Sequence, residues 1–147
     1  MSAEENKALV TRVFEEVFNE GRHELAQDLY SSDCVFHGVP DGYEGRRGPD
    51  VVRDLSQVYQ DAFPDQRYDI EEILAERDIV SVRWRVSGTH ENTLQLGAMS
   101  VLKTGRRVNV RGFSMCRIHE GRIAEVWQLA DMATAFRQMG AEPGATD

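Results

Sequence analysis

The chain has 147 residues, 41% of them hydrophobic and 29% charged, and its 17 Lys and Arg against 25 Asp and Glu give a formal net charge of -8. That length fits one domain around one core, and the composition is that of a globular chain rather than a disordered one. The acidic balance argues against a phosphate-tracking surface, because nucleic-acid affinity rests on clustered Lys and Arg; the pairs Arg46-Arg47 and Arg106-Arg107 fall in Gly-containing turns and read as solvated.

Cys34 and Cys116 are too few and too far apart for a CxxC metal or redox motif, so free buried thiols are expected. MSAEENKALV has neither a basic n-region nor an apolar h-region, and no apolar run approaches the length of a membrane span. A cytoplasmic location and no membrane contact are the expectation.

From Ala3 to Asn19, Leu9, Val10, Val13, Phe14, Val17 and Phe18 recur at helical spacing, which predicts a core-facing helix stopped at Asn19-Glu20-Gly21. His23 to Tyr30 reads as a short second helix, and Cys34 to His37 as a short strand. Gly38, Pro40, Asp41 and Gly42 open a loop to Gly48, a candidate lid. Pro49 suits a first helical position, and Val51, Val52, Leu55, Val58, Tyr59, Ala62 and Phe63 trace one face of a third helix ended by Pro64.

Strands are predicted over Tyr68–Glu76, Ile79–His90, Leu96–Lys103, Val108–Ile118 and Arg122–Leu129, with turns at Thr104-Gly105 and Glu120-Gly121. Asp131 to Met139 then carries Met132, Ala135, Phe136 and Met139 at helical spacing. Helices first and consecutive hairpins afterwards predict an α+β fold, a cone-shaped bent antiparallel sheet with three to four helices enclosing a pocket. Residues 1–140 are expected to form the single domain, and 141–147 a disordered tail. One parity of the late strands mixes apolar and isolated polar residues: Val110, Gly112, Ser114 and Cys116, then Ala124, Val126 and Gln128. Small-ligand pockets are walled that way.

The order of elements and the phrases FNEGRHELAQDLYSSDCVFHG, GRRGPDVVRDL, VSGTHENTLQLG and TGRRVNVRGFSMCRIHEGRIAEVWQLADMATAFRQMG resemble the SnoaL-like polyketide cyclase family of the nuclear transport factor 2-like superfamily. Nearly the whole chain takes part. The resemblance implies a homodimer through the sheet, a small hydrophobic or polycyclic ligand, and no metal or organic cofactor. It also implies a general acid/base Asp on the last strand with a His on its neighbour, but Gln128 and Ser114 stand at those positions here. Gln does not exchange protons near neutral pH, although it can donate to a carbonyl or enolate oxygen.

The catalytic candidates are therefore His37 as base, Gln128 orienting a carbonyl together with Ser114, and Asp131 as acid. His37 reads equally well as a hydrogen-bonded rim residue, and Asp131 as a helix N-cap. Trp84, Trp127, Phe14, Phe18, Tyr59 and His90 complete the expected ligand-binding set, with Trp84 and Trp127 also reading as core or interface aromatics. The four His residues form no HxH or HxxxH pair, and no GxSxG, P-loop or dinucleotide fingerprint occurs. Three functions follow: cofactor-independent aldol cyclisation or isomerisation of a small hydrophobic carbonyl compound, a non-catalytic binder that kept the pocket, and a limonene-type epoxide hydrolase. The last needs an Asp where Gln128 sits.

Overall fold

The structure, a computed structural model, describes residues 1–140; the expected tail lies outside them. Helix α1 (Ala3–Arg12) opens on a capping box in which Ser2 Oγ accepts from the Glu5 amide at 3.1 Å and the Ser2 amide donates to the Glu5 carboxylate at 3.0 Å. It continues as a π-helical segment, Val13–Asn19. The expected second helix is a 3-10 turn at His23–Leu25 followed by α2 (Ala26–Leu29). Tyr30 already belongs to strand β1 (Tyr30–His37). Helix α3 (Pro49–Ala62) follows Gly48, whose φ of 88° and a Ser32 carbonyl oxygen 2.6 Å from where a Cβ would stand leave room for glycine alone.

Strands β2 (Arg67–Glu76), β3 (Ile79–Thr89), β6 (Arg107–His119) and β7 (Arg122–Ala130) form a curved, unclosed sheet with β1, in the order β1-β7-β6-β3-β2. Four of the strands pair antiparallel, but β1 lies parallel to β7. Hairpin logic misses this because it governs only strands adjacent in sequence, and β1 meets a partner far along the chain. The expected strand Leu96–Lys103 is instead a separate hairpin, β4 (Leu94–Leu96) and β5 (Met99–Val101), outside the main sheet. Helix α4 (Met132–Met139) closes the domain. No helix among the described residues is long and apolar enough to cross a membrane.

Two bulges bend the sheet. Glu71 is the extra residue in β2, so Ile70 and Ile73 both face inward; Ala124 is the extra residue in β7, so Ile123, fully buried, takes the core position. The inward parity then resumes at Val126 and Gln128.

Two apolar clusters share the inner face. One joins α1, the π-helical segment and α2 to Val80, Val82, Cys116, Ile118 and Ile123. The other joins the end of α3, the β4–β5 hairpin and α4 to Val108 and Val110. The sheet's inner surface is too long for one helical layer to cover, and a cavity remains where the clusters meet.

Candidate functional site

The cavity takes up about 630 Å³ including its open mouth and the solvent in it. Its floor is the sheet: Trp84 and Val86 of β3, Tyr68 of β2, Val108 and Val110 of β6, Gln128 and Ala130 of β7. Its roof is Tyr59 of α3, Phe63 just past that helix's end, Leu94 of the hairpin, and Met132, Ala135 and Met139 of α4. Gln66 and the Ser87–Gly88 stretch complete the wall. Among the described residues no Asp, Glu, His, Lys, Arg or Cys lines it. Its polar side chains are two phenols, two primary amides and a serine.

Trp84 is fixed on three sides. It is only 2% exposed, its indole N–H donates to Ser114 Oγ at 2.9 Å, and its six-membered ring lies over Gly112. Ser114, itself buried, thus serves the cavity by orienting its largest aromatic. Gln128 pairs across the strands with Ser114, lines the cavity and stays exposed.

Burial pushes the Tyr59 phenol up to about 12. Tyr68 moves in the same direction, through burial first and the neighbouring Tyr59 phenol second. Both remain neutral O–H donors at any physiological pH. Among the described residues neither hydroxyl has a side-chain or backbone hydrogen-bond partner.

The other expected site residues lie elsewhere. His37 is on the opposite face of the sheet, because its parallel pairing with Trp127 gives both the outward parity. Its Nε2 is 2.8 Å from Glu125 Oε2, and its ring stacks on Trp127 at 5.2 Å. The base role assigned to His37 and the ligand-stacking role assigned to Trp127 therefore have no geometry in this cavity. Both side chains border a second, more open depression with Phe113, Met115 and Leu129, and Ser114 and Gln128 line it as well, so four residues of the expected set meet there.

Asp131 caps α4, its carboxylate accepting from the Thr134 amide at 3.1 Å and from the Thr134 hydroxyl at 2.6 Å. Those bonds hold its pKa below the ordinary carboxylate value, which makes it a poor proton donor and a good cap. Phe14 and Phe18 sit behind Tyr68, edge-on and tilted at 5.7 and 5.1 Å, and buttress it rather than face the cavity. His90 is fully buried behind Phe63, stacked at 5.3 Å, with Nδ1 2.9 Å from Thr104 Oγ1; burial lowers its pKa and keeps it neutral. No group of three or more potential metal ligands occurs among the described residues.

This division yields an expected result. Asp131→Ala should lower the stability of the fold near neutral pH, with the difference from wild type shrinking as the pH falls toward 2, without changing ligand affinity. A carboxylate whose folded pKa is depressed stabilises above its unfolded pKa and loses that contribution as the pH falls through the folded value. Thermal melts between pH 2 and 7 with a parallel binding titration would show it; a fall in affinity would return Asp131 to the site.

Tyr68, Gln66 and Leu94 are among the cavity residues that the sequence did not assign to the site. Tyr68 could have been found, since it shares a face with Ile70 at the start of a strand. Leu94 could not, because its hairpin sits outside the sheet.

The sequence profile of SnoaL-like polyketide cyclases matches residues 8–139. No curated protein matches the chain in sequence. Among solved structures, TsrD of Streptomyces laurentii superposes with a TM-score of 0.83 at 20% identity, covering 97% of this chain and 99% of its own. IdmH of Streptomyces antibioticus gives 0.75 at 26% identity over 92% and 99%. A SnoaL-like polyketide cyclase of Agrobacterium tumefaciens gives 0.73 at 18% identity over 95% and 100%.

Proposed function

Since the chain belongs to the SnoaL-like polyketide cyclase family, we propose that it promotes ring closure or isomerisation of a small hydrophobic carbonyl compound of polyketide type, using hydrogen bonds from neutral donors. The observation that carries this reading is the lining of the cavity: apolar walls with Tyr59, Tyr68, Gln66 and Gln128, and no group that exchanges protons near neutrality. In an aldol closure an enol carbon bonds to a carbonyl carbon, the enol O–H gives up its proton to solvent as its own C=O forms, and one proton arrives from solvent on the acceptor carbonyl oxygen. The carbon between two carbonyls enolises readily, so holding the chain folded and polarising the acceptor carbonyl are the steps left to the protein.

The test is a titration of the protein with linear aromatic poly-β-ketones, read first by quenching of Trp84 fluorescence and then by chromatography of the cyclised product. Saturable quenching with faster cyclisation than in buffer supports the reading. Quenching without turnover supports the second one, a binder that kept the pocket, which Gln128 and Ser114 at the family's Asp and His positions favour. No quenching at all sinks both.

We further propose that two copies pair through the outer sheet face. Leu129 (75% exposed), Phe113 (59%), Met115 (43%) and Leu74 (63%) all point outward from this one sheet, a density of exposed apolar side chains that single-copy surfaces rarely sustain. Sedimentation should give twice 16.7 kDa, and Leu129→Asp should return the monomer; a wild-type monomer would end the proposal.

A further inference from the structure

Tyr68 is held by aromatic rings on three sides. Its ring meets Phe14 edge-on at 5.7 Å, Phe18 at 5.1 Å and Trp84 at 5.3 Å. Its backbone is fixed as well. The Tyr68 amide donates to Asn19 Oδ1 at 2.7 Å, and Asn19 Nδ2 donates to the Tyr68 carbonyl at 2.9 Å. Strand β2 is the edge of the sheet, so these two groups would otherwise face away from any partner strand. One carboxamide from the end of the π-helical segment does what a sixth strand would do at that single residue.

Nothing comparable is spent on the phenol oxygen. The hydroxyl has no hydrogen-bond partner among the described residues, and Tyr68 lines the cavity from the floor while Tyr59 lines it from the roof. Two neutral O–H donors from opposite walls are the arrangement that receives one carbonyl oxygen with its two lone pairs. The rigid packing means the donor is already aimed before a ligand arrives.

Resting on the reading of the cavity as a site for a hydrophobic carbonyl compound, we propose that Tyr68 and Tyr59 are its carbonyl-binding pair and that Asn19 is the positioning residue that aims Tyr68. As negative charge grows on the carbonyl oxygen during ring closure or enolisation, both phenols shorten their bonds to it while keeping their protons. Burial holds both phenols above their ordinary pKa, so they stay donors throughout.

The probes are α-tetralone, carbon-13-labelled at the carbonyl, and tetralin, the same bicycle without the oxygen. The wild-type protein should bind tetralone about tenfold tighter than tetralin, the worth of one good hydrogen bond, and the bound carbonyl resonance should move downfield. Tyr68→Phe keeps the ring and its packing, so it should erase the preference and most of the shift while tetralin binds as before. Asn19→Ala should leave tetralin binding intact and move the carbonyl resonance part of the way back, which a merely structural residue would not do.

A preference and shift that survive Tyr68→Phe overturn the carbonyl pair while the proposed function stands. A resonance unmoved by Asn19→Ala overturns its positioning role. If neither bicycle binds the wild-type protein, the hydrophobic-ligand reading fails and takes this inference with it.

Discussion

Gln128→Asp is expected to raise ring-closing turnover of a poly-β-ketone by about 10²-fold or more, the usual contribution of a placed general acid/base. The substitution restores at this position the residue type that the family resemblance implies. Gln128 lines the cavity from the last strand and faces Ser114 across the pair, so a carboxylate there reaches the same space as the phenols of Tyr59 and Tyr68. It would take the proton from carbon while the phenols carry the oxygen's charge. Product chromatography under saturating substrate measures the rate, and Trp84 quenching confirms that binding is retained. Unchanged turnover with binding intact would show that the cavity holds its ligand for some purpose other than enolisation.

Gly112→Ala should destabilise the fold by an amount at the upper end of the roughly 1–3 kcal/mol that core overpacking costs. A Cβ at Gly112 would stand 2.2 Å from Trp84 Cζ2 and 2.4 Å from Cη2. The indole has nowhere to retreat, since it is buried against Tyr68 at 5.3 Å and tied to Ser114. Something must shift, and the cavity floor shifts with it. Urea denaturation reads the stability, and the loss of tetralone affinity reads the floor. Replacing Trp84 by Leu in the same chain should relieve the clash, giving a double-mutant coupling well outside additivity. A Gly112→Ala protein as stable as the wild type would mean that the indole is not where the packing argument requires it.

These two residues also mark how far the sequence could be read. Gly112 and Gln128 were both legible as inward positions, because strands of period two declare their faces once one apolar residue is placed. Their partners were not. That Gly112 exists to admit Trp84 follows only from the β3–β6 register, which sets the two directly opposite.

His37 shows the opposite case. Its neighbourhood, a strand end beside a Gly/Pro loop, suits a catalytic base, and its residue type suits the chemistry. The side on which it lies was settled by a parallel pairing with Trp127 that no hairpin signal announces. Asp131 was readable both ways, and the two bonds to Thr134 decide for the cap. Asn19 read as a helix stop, which it is, but its contact with Tyr68 spans 49 positions of chain.

The sequence by itself determined the class of fold, the family and the inward parity of β6 and of β7 from Val126 onward, but not that of Ala124, which the bulge displaces in favour of Ile123. Each of these depends on local periodicity, turn chemistry or phrases of contiguous residues, and such information survives without coordinates. The tertiary structure decided which polar groups share the cavity, because bulges at Glu71 and Ala124, the parallel β1–β7 pair and the detached β4–β5 hairpin each turn or move side chains by an amount fixed through contacts between distant parts of the chain. A one-residue offset in a strand reverses its face, so the apolar scaffold could be inferred from pattern while the chemistry inside it required the register.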